Sequence, residues 1–184
     1  MELRQKGDDE MALIIYGTQY GTSKQYAEQL ATITGDSVID SRHLPKELPE
    51  AHVIFVGSVY AGRMTGLKKV LQVLAPERNE LTVVTVGMTD ARSEELVAGI
   101  HQPIAAKVAE KKISLRGCYH LQGKVNYDGL ALKHKLVIKP MVAAFKKKPA
   151  NELDEQAKML LRAFDQTNAN EPTIDFAVLA ERMT

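Results

Sequence analysis

Cysteine is almost missing from this chain of 184 residues: Cys118 stands alone, which excludes an intramolecular disulfide and any Cys-x-x-Cys redox or zinc site. A lone thiol is what a reducing cytosol permits. Long apolar runs are missing too, none approaching the ~18–20 residues of a spanning helix. The amino terminus carries Glu2, Asp8, Asp9 and Glu10 where a signal peptide needs positive charge followed by an apolar stretch. The protein is therefore expected in the cytoplasm. Metal-ligand spacing is absent as well. His43, His52, His101, His120 and His134 are scattered, and only Cys118 and His120, two apart, suit one strand face, so no metal is expected. Excess charge of one sign is also lacking. Lys and Arg number 24 against 23 Asp and Glu, a formal +1, which argues against a globally basic nucleic-acid binder and against an acidic tail protein.

That near-zero total is a cancellation. Residues 107–148 hold eleven of the basic residues and only two acids, Glu110 and Asp128, a local excess of +9 that leaves −8 for the remainder. The length suits one compact domain with a real core. Residues 1–10 read as a mobile N-terminal extension, or Met11 as the start, with a single domain over residues 11–184 and a basic insertion at about residues 121–148.

Short β-branched apolar runs alternate with stretches whose apolar residues recur at three and four, the pattern of an α/β domain with a mainly parallel sheet. Strands are expected at Ala12–Tyr16, Ser37–Asp40, His52–Gly57, Leu81–Val86 and Ile113–His120. The continuous Val-Ile-Phe-Val of the third suits a central strand buried on both faces. Helices are expected from Ser23 to Gly35, along the Leu67, Val70, Leu71, Leu74 stripe, from Ser93 toward Lys112 with a bend at Pro103, after Asn151, and over Thr173–Arg182. Five strands in this order make a doubly wound sheet, which places a ligand beyond the carboxyl ends of the strands, in the turns after Tyr16, Gly57 and Val86.

The first of those turns is Thr18-Gln19-Tyr20-Gly21-Thr22-Ser23, rich in hydroxyls and opening a helix. Glycine lets backbone approach an anion, the helix N-terminus offers N–H groups and a positive dipole end, and Thr18, Thr22 and Ser23 add donors. The Walker and dinucleotide glycine spacings are both absent. The same residues also suit a plain helix N-cap with glycines for the turn.

The loop resembles the phosphate loop of flavodoxins, which hold the monophosphate of FMN with hydroxyls and amides and require no lysine or arginine. Thr18, Gly21 and Ser23 match the family's pattern, while Tyr20 stands where threonine is usual. The resemblance implies FMN as cofactor and a flavodoxin-like doubly wound five-stranded parallel sheet, order 2-1-3-4-5, in a three-layer α/β/α sandwich. It places the flavin ring between Ser58-Val59-Tyr60-Ala61-Gly62 and Gly87-Met88-Thr89-Asp90. Tyr60 is then the candidate stacking group and Gly62 a point of close backbone approach. With no tryptophan in the chain, the two-aromatic sandwich of classical flavodoxins is not expected. The first ring loop carries Arg63 and no acid, and in the second Asp90 is balanced by Arg92. A midpoint potential above that of acidic flavodoxins is therefore expected, since nearby carboxylates would disfavour the reduced flavin.

The long segment after the fifth strand is similar to the basic insertion of the flavodoxin-fold branch that includes menaquinone-dependent protoporphyrinogen dehydrogenases. The expected function is electron transfer between a donor and a quinone, porphyrin-type or protein acceptor, with His120 and Asp90 the first candidates if a substrate proton moves. Lys133, Lys135, Lys139, Lys146, Lys147 and Lys148, beside apolar residues, suit an anionic membrane surface or an acidic partner, and equally a solvated basic face. No nucleic-acid readout motif accompanies them. Cys118 reads as a buried apolar thiol. Two other function classes share this fold. A receiver module needs acids at the carboxyl end of the first strand, whereas Asp8, Asp9 and Glu10 lie at the other end. A flavin-free interaction module that kept the fold and lost the cofactor is the alternative that Tyr20 leaves open.

Overall fold

The computed structural model describes residues 12–19, 21–60, 62–123, 140, 142–149, 152–153, 157–158, 161 and 176–183. The expected extension at residues 1–10, Tyr20, Ala61, Lys133, Lys135, Lys139 and most of the helix expected after Asn151 lie outside the described residues.

The elements run β1 (Ala12–Gly17), α1 (Thr22–Thr34), β2 (Ser37–Asp40), β3 (Ala51–Tyr60), β4 (Arg63–Met64), α2 (Leu67–Val73), β5 (Asn79–Gly87), α3 (Glu94–Glu110), β6 (Ser114–Gln122) and α4 (Phe176–Met183). The parallel strands lie in the order β2-β1-β3-β5-β6, which is the expected 2-1-3-4-5 order counted over the long strands. The addition is β4, two residues that fold back antiparallel onto the end of β3, with Val59 opposite Met64 and Tyr60 opposite Arg63. It makes the sheet six-stranded and turns the loop after the third strand into a tight hairpin.

Each face of the sheet carries its own apolar layer. Ile15, Val53, Phe55, Leu81 and Val83 pack with Leu67, Val70 and Leu71 of α2 and Ile104 and Val108 of α3. Ile14, Ile54, Val56, Val84 and Val86 pack with Tyr26, Ala27 and Leu30 of α1 and Leu179, Ala180 and Met183 of α4. Successive β3 residues alternate between these layers, which is why its sequence is a run and not an alternation. Each such side chain contributes about 1.5–3 kcal/mol by leaving water.

Helix ends follow local chemistry. Gly35 stops α1 in the left-handed conformation, its N–H donating to the Ala31 carbonyl. Glu94 and Glu95 occupy the first turn of α3, where the dipole favours them, and Ser93 is its N-cap position without a side-chain capping bond. Pro103 sits inside α3.

One irregularity was not expected. The pairing of β5 with β6 steps from Leu81–Leu115 to Thr82–Gly117, so Arg116 is an extra residue in β6. The slip reverses the faces beyond it, so that Leu115 and Cys118 both pack toward the α2/α3 layer, while Tyr119 and Leu121 pack toward the α1/α4 layer. Cys118 is half-buried, less than expected.

Candidate functional site

In the order β2-β1-β3-β5-β6 the chain leaves β1 toward one edge and returns across it, so the switch point falls between β1 and β3. Gly17 and Gly57 end this crevice side by side in register. A side chain on Gly17 would collide with the Thr65 carbonyl, so glycine is needed for that approach.

The loop out of β1 is built for a turn into a helix. Gly21 takes φ +96°, a left-handed conformation that costs a non-glycine residue, and its N–H donates to Thr18 Oγ1 at 2.8 Å. Among the described residues no side-chain capping bond is made at Gly21, and the first turn of α1 holds no acid. Thr22 and Ser23 are buried and Thr18 half-buried, while Gln19 is exposed. Ser23 Oγ lies 2.8 Å from Ser58 Oγ, and the Gln19 N–H donates to Ser58 Oγ at 3.4 Å. These bonds tie the loop after β1 to the end of β3 across the switch point. A side chain placed on Gly21 would meet nothing within 4 Å, so the ground above this turn is open. An uncapped positive dipole end, a hydroxyl-rich turn and open space beside them fit a phosphate group.

The two loops expected to border a ring stand next along the same edge. The hairpin from β3 to β4 turns through Gly62 at φ +71°, and Val59 and Ser58 are half-buried there. Tyr60 is 57% exposed, an aromatic face presented to solvent at a strand end. Gly87, Met88, Thr89 and Asp90 are half-buried at the end of β5. The Gly87 carbonyl accepts the Gly123 N–H. Asp90 accepts the Arg92 backbone N–H at 3.0 Å and its guanidinium at 3.0 and 2.9 Å, so the two charges neutralise each other. A Cβ on Gly87 would stand 3.4 Å from His120 and 3.7 Å from Val59, so all three residues border one space. Val59, Met88 and the exposed Tyr60, beside the backbone of Gly62 and Gly87, are the groups here that suit a flat conjugated ring.

Sequence reasoning missed two groups in this region. The first is Thr85, fully buried on β5, whose Oγ1 lies 2.8 Å from His120 Nδ1 and 3.1 Å from His101 Nε2; it also reaches the Tyr119 carbonyl at 3.0 Å. His120 Nε2 is 3.1 Å from the Thr89 carbonyl. Burial pushes both histidines below the ordinary imidazole range, and for His120 the neighbouring His101 adds to it. The signal in the sequence was a threonine in the Thr-Val-Val-Thr-Val-Gly run, a polar residue where a central strand is otherwise apolar. The second group closes β1 and β2. Tyr16 ends β1 in register with Asp40, whose carboxylate accepts the Arg42 backbone N–H at 2.8 Å and its guanidinium, Nη2 at 2.6 Å. The Arg42 guanidinium foremost holds the Asp40 carboxyl well below the usual carboxylate range. Burial pushes the Cys118 thiol up, away from the reactive thiolate.

The sequence model of a flavodoxin-domain family matches residues 13–152. No curated protein sequence matches the chain. Among solved structures, the Trp repressor binding protein from Bacillus subtilis is similar over 61% of this chain and 85% of its own, at 15% identity and a TM-score of 0.44. A flavoprotein from Lactobacillus acidophilus, solved in complex with FMN, is similar over 61% and 93%, at 12% identity and a TM-score of 0.43. A flavodoxin variant from Pseudomonas aeruginosa is similar over 73% and 95%, at 17% identity and a TM-score of 0.41.

Proposed function

Since the chain belongs to the flavodoxin-domain family, we propose that it binds FMN in the cleft bordered by residues 18–23, 58–62 and 87–90 and serves as an electron carrier or oxidoreductase. The observation that supports this best is the Ser23–Ser58 hydroxyl pair at 2.8 Å, which joins the phosphate-sized turn and the first ring loop into one continuous site at the switch point. When bound, the flavin supplies the one- and two-electron chemistry; the protein's part is to hold it, orient it and exclude water.

Thr18 and the backbone of Gln19, Gly21, Thr22 and Ser23 serve the phosphate. Ser23 acts through Ser58, fixing the distance between turn and ring. Val59, Gly62, Met88 and Thr89 border the ring, and Tyr60 covers it. The electron acceptor is a quinone, a porphyrin-type molecule or a protein, in keeping with the resemblance to the protoporphyrinogen dehydrogenase branch. The basic segment ending in the exposed Lys146, Lys147 and Lys148 is the docking face, and it favours an acceptor delivered by an anionic surface.

Purified protein is expected to be yellow or to take up added FMN with quenching of flavin fluorescence. A colourless protein that binds no FMN would be the flavin-free alternative and would sink the proposal. Thr18→Ala is expected to weaken FMN about tenfold, the loss of ~1.4 kcal/mol of hydrogen bonding to an anion, and to change riboflavin binding far less. Equal losses for both ligands would remove the phosphate role.

A further inference from the structure

We propose that the chain His101–Thr85–His120 is a proton-uptake site of this cleft: His120 takes and keeps one proton when the cleft gains negative charge, with His101 as the entry from solvent. The inference rests on the FMN reading above and goes beyond it by assigning a linked proton to named atoms.

Hydrogen-bond accounting carries it. The Thr89 carbonyl can only accept, so His120 Nε2 bears a hydrogen and donates to it across 3.1 Å. In neutral His120 the Nδ1 atom is then bare and takes the Thr85 hydroxyl proton across 2.8 Å. With that hydroxyl proton committed to His120, Thr85 Oγ1 is left as acceptor for the Nε2–H of neutral His101 across 3.1 Å, an N–H that the Tyr119 carbonyl also faces. Every hydrogen along this chain points from His101 toward His120. A second acceptor for the same hydroxyl, the Tyr119 carbonyl, waits at 3.0 Å.

Adding a proton therefore breaks no bond. Water protonates the outer nitrogen of the half-buried His101, its Nε2–H passes to Thr85 Oγ1, and the original Thr85 hydrogen passes to His120 Nδ1. His120 then donates from both nitrogens. The new Thr85 hydrogen turns to His101 Nε2 or to the Tyr119 carbonyl. The proton comes from solvent and ends on His120, and none is handed on to the flavin. The electrons come separately from an outside reductant, which is oxidised as the flavin is reduced. Each charge state of this partly buried cluster thus keeps its polar atoms hydrogen-bonded, which avoids the desolvation cost of an orphaned group.

The charges that face His120 select this role. From α3 the titratable group is His101, its ring 6.4 Å away, and on β6 itself stand Cys118 and Tyr119. From the loop after β5, Asp90 is paired with Arg92, and β5 contributes the uncharged Thr85, in register with His120. No carboxylate among the described residues ion-pairs with His120. Its burial keeps it neutral at rest, and new negative charge in the neighbouring cleft is what favours the imidazolium.

The test uses the full-length wild-type chain loaded with FMN, whose binding is first verified by fluorescence quenching. The His120 imidazole signals, assigned through bonds, are titrated by NMR with the flavin oxidised and again after reduction by dithionite. Reduction is expected to raise the proton affinity of His120 at least about tenfold, one pH unit in its midpoint. An unchanged midpoint overturns the inference while leaving the FMN reading intact; failure to bind FMN overturns both. His120→Gln keeps an N–H for the Thr89 carbonyl but cannot titrate. It is expected to remove one proton from the pH dependence of the flavin midpoint potential below pH 7, whereas a merely structural His120 leaves that dependence unchanged. If this variant does not fold, the wild-type titration decides alone.

Discussion

Asp40 and His120 both lose stability as pH falls, and each shows in its own window. The Asp40 carboxyl, held down by Arg42 and Tyr16, binds its proton less readily in the folded chain than its ordinary value of 3.8 implies. Its contribution to stability is therefore present above about pH 4 and is lost as pH falls toward the folded value. Denaturant unfolding between pH 5 and 2.5 is expected to show this acid limb, and Asp40→Asn should flatten it while lowering stability at pH 7. An acid limb as steep in the variant as in the wild type would assign it to other carboxylates. His101 and His120 are lowered from 6.5 by burial, so the unfolded chain binds their protons more readily. Stability falls as pH drops below about 6.5 and levels once both are protonated in the folded state. In apo protein, His120→Gln is expected to flatten that upper limb and to leave the Asp40 limb untouched.

At the scale of elements, the glycines divide into those that pack and those that merely interrupt. Gly17→Ala would drive a methyl group into the Thr65 carbonyl, and Gly57→Ala would meet Met64 Cε at 2.5 Å, both at the end of the β1/β3 crevice. Each should cost about 1–3 kcal/mol, the usual penalty of overpacking. Gly99, in the middle of α3, has nothing within 4 Å of an added Cβ, so Gly99→Ala is expected to stabilise by up to about 1 kcal/mol. Thermal or urea unfolding of the three variants separates these signs, and a stabilising Gly17→Ala would contradict the close approach seen here. The long elements were legible because their patterns are repetitive: the Val-Ile-Phe-Val run and the Leu67–Leu74 stripe each repeat one periodicity. Two features were not. The β4 hairpin is two residues long, below any period. The bulge at Arg116 adds one residue and inverts the parity of everything after it, so alternation alone puts His120 on the wrong face. Only the register brings it opposite Thr85. The cleft loops were legible from where strands end. The buried chain behind them was not, since His101, on a helix, meets Thr85 only through tertiary packing.

For the whole molecule, the governing fact is that charge is segregated by position along the chain. The +9 of residues 107–148 ends in Lys146, Lys147 and Lys148, all exposed, just after a helical stretch at residues 142–146 in which Val142 is 3% exposed. No helix among the described residues is long and apolar enough to cross a membrane. Each lysine near an anionic surface contributes on the order of 1 kcal/mol, and three together about 3 kcal/mol, roughly a hundredfold in partition. Sedimentation with vesicles of anionic phospholipid is expected to carry down the wild-type protein at low ionic strength. Neutral phosphatidylcholine vesicles should not, and Lys146→Gln, Lys147→Gln and Lys148→Gln combined should reduce binding by that factor. Raising the salt should release the protein, because the Debye length shrinks from about 30 Å at 0.01 M to about 8 Å at 0.15 M. Binding that ignores lipid charge, salt and the three substitutions alike would mean apolar insertion. Binding to no vesicle would leave the lysines as a dock for an acidic protein or as a solvated face, and would return the protein to the class of freely diffusing carriers.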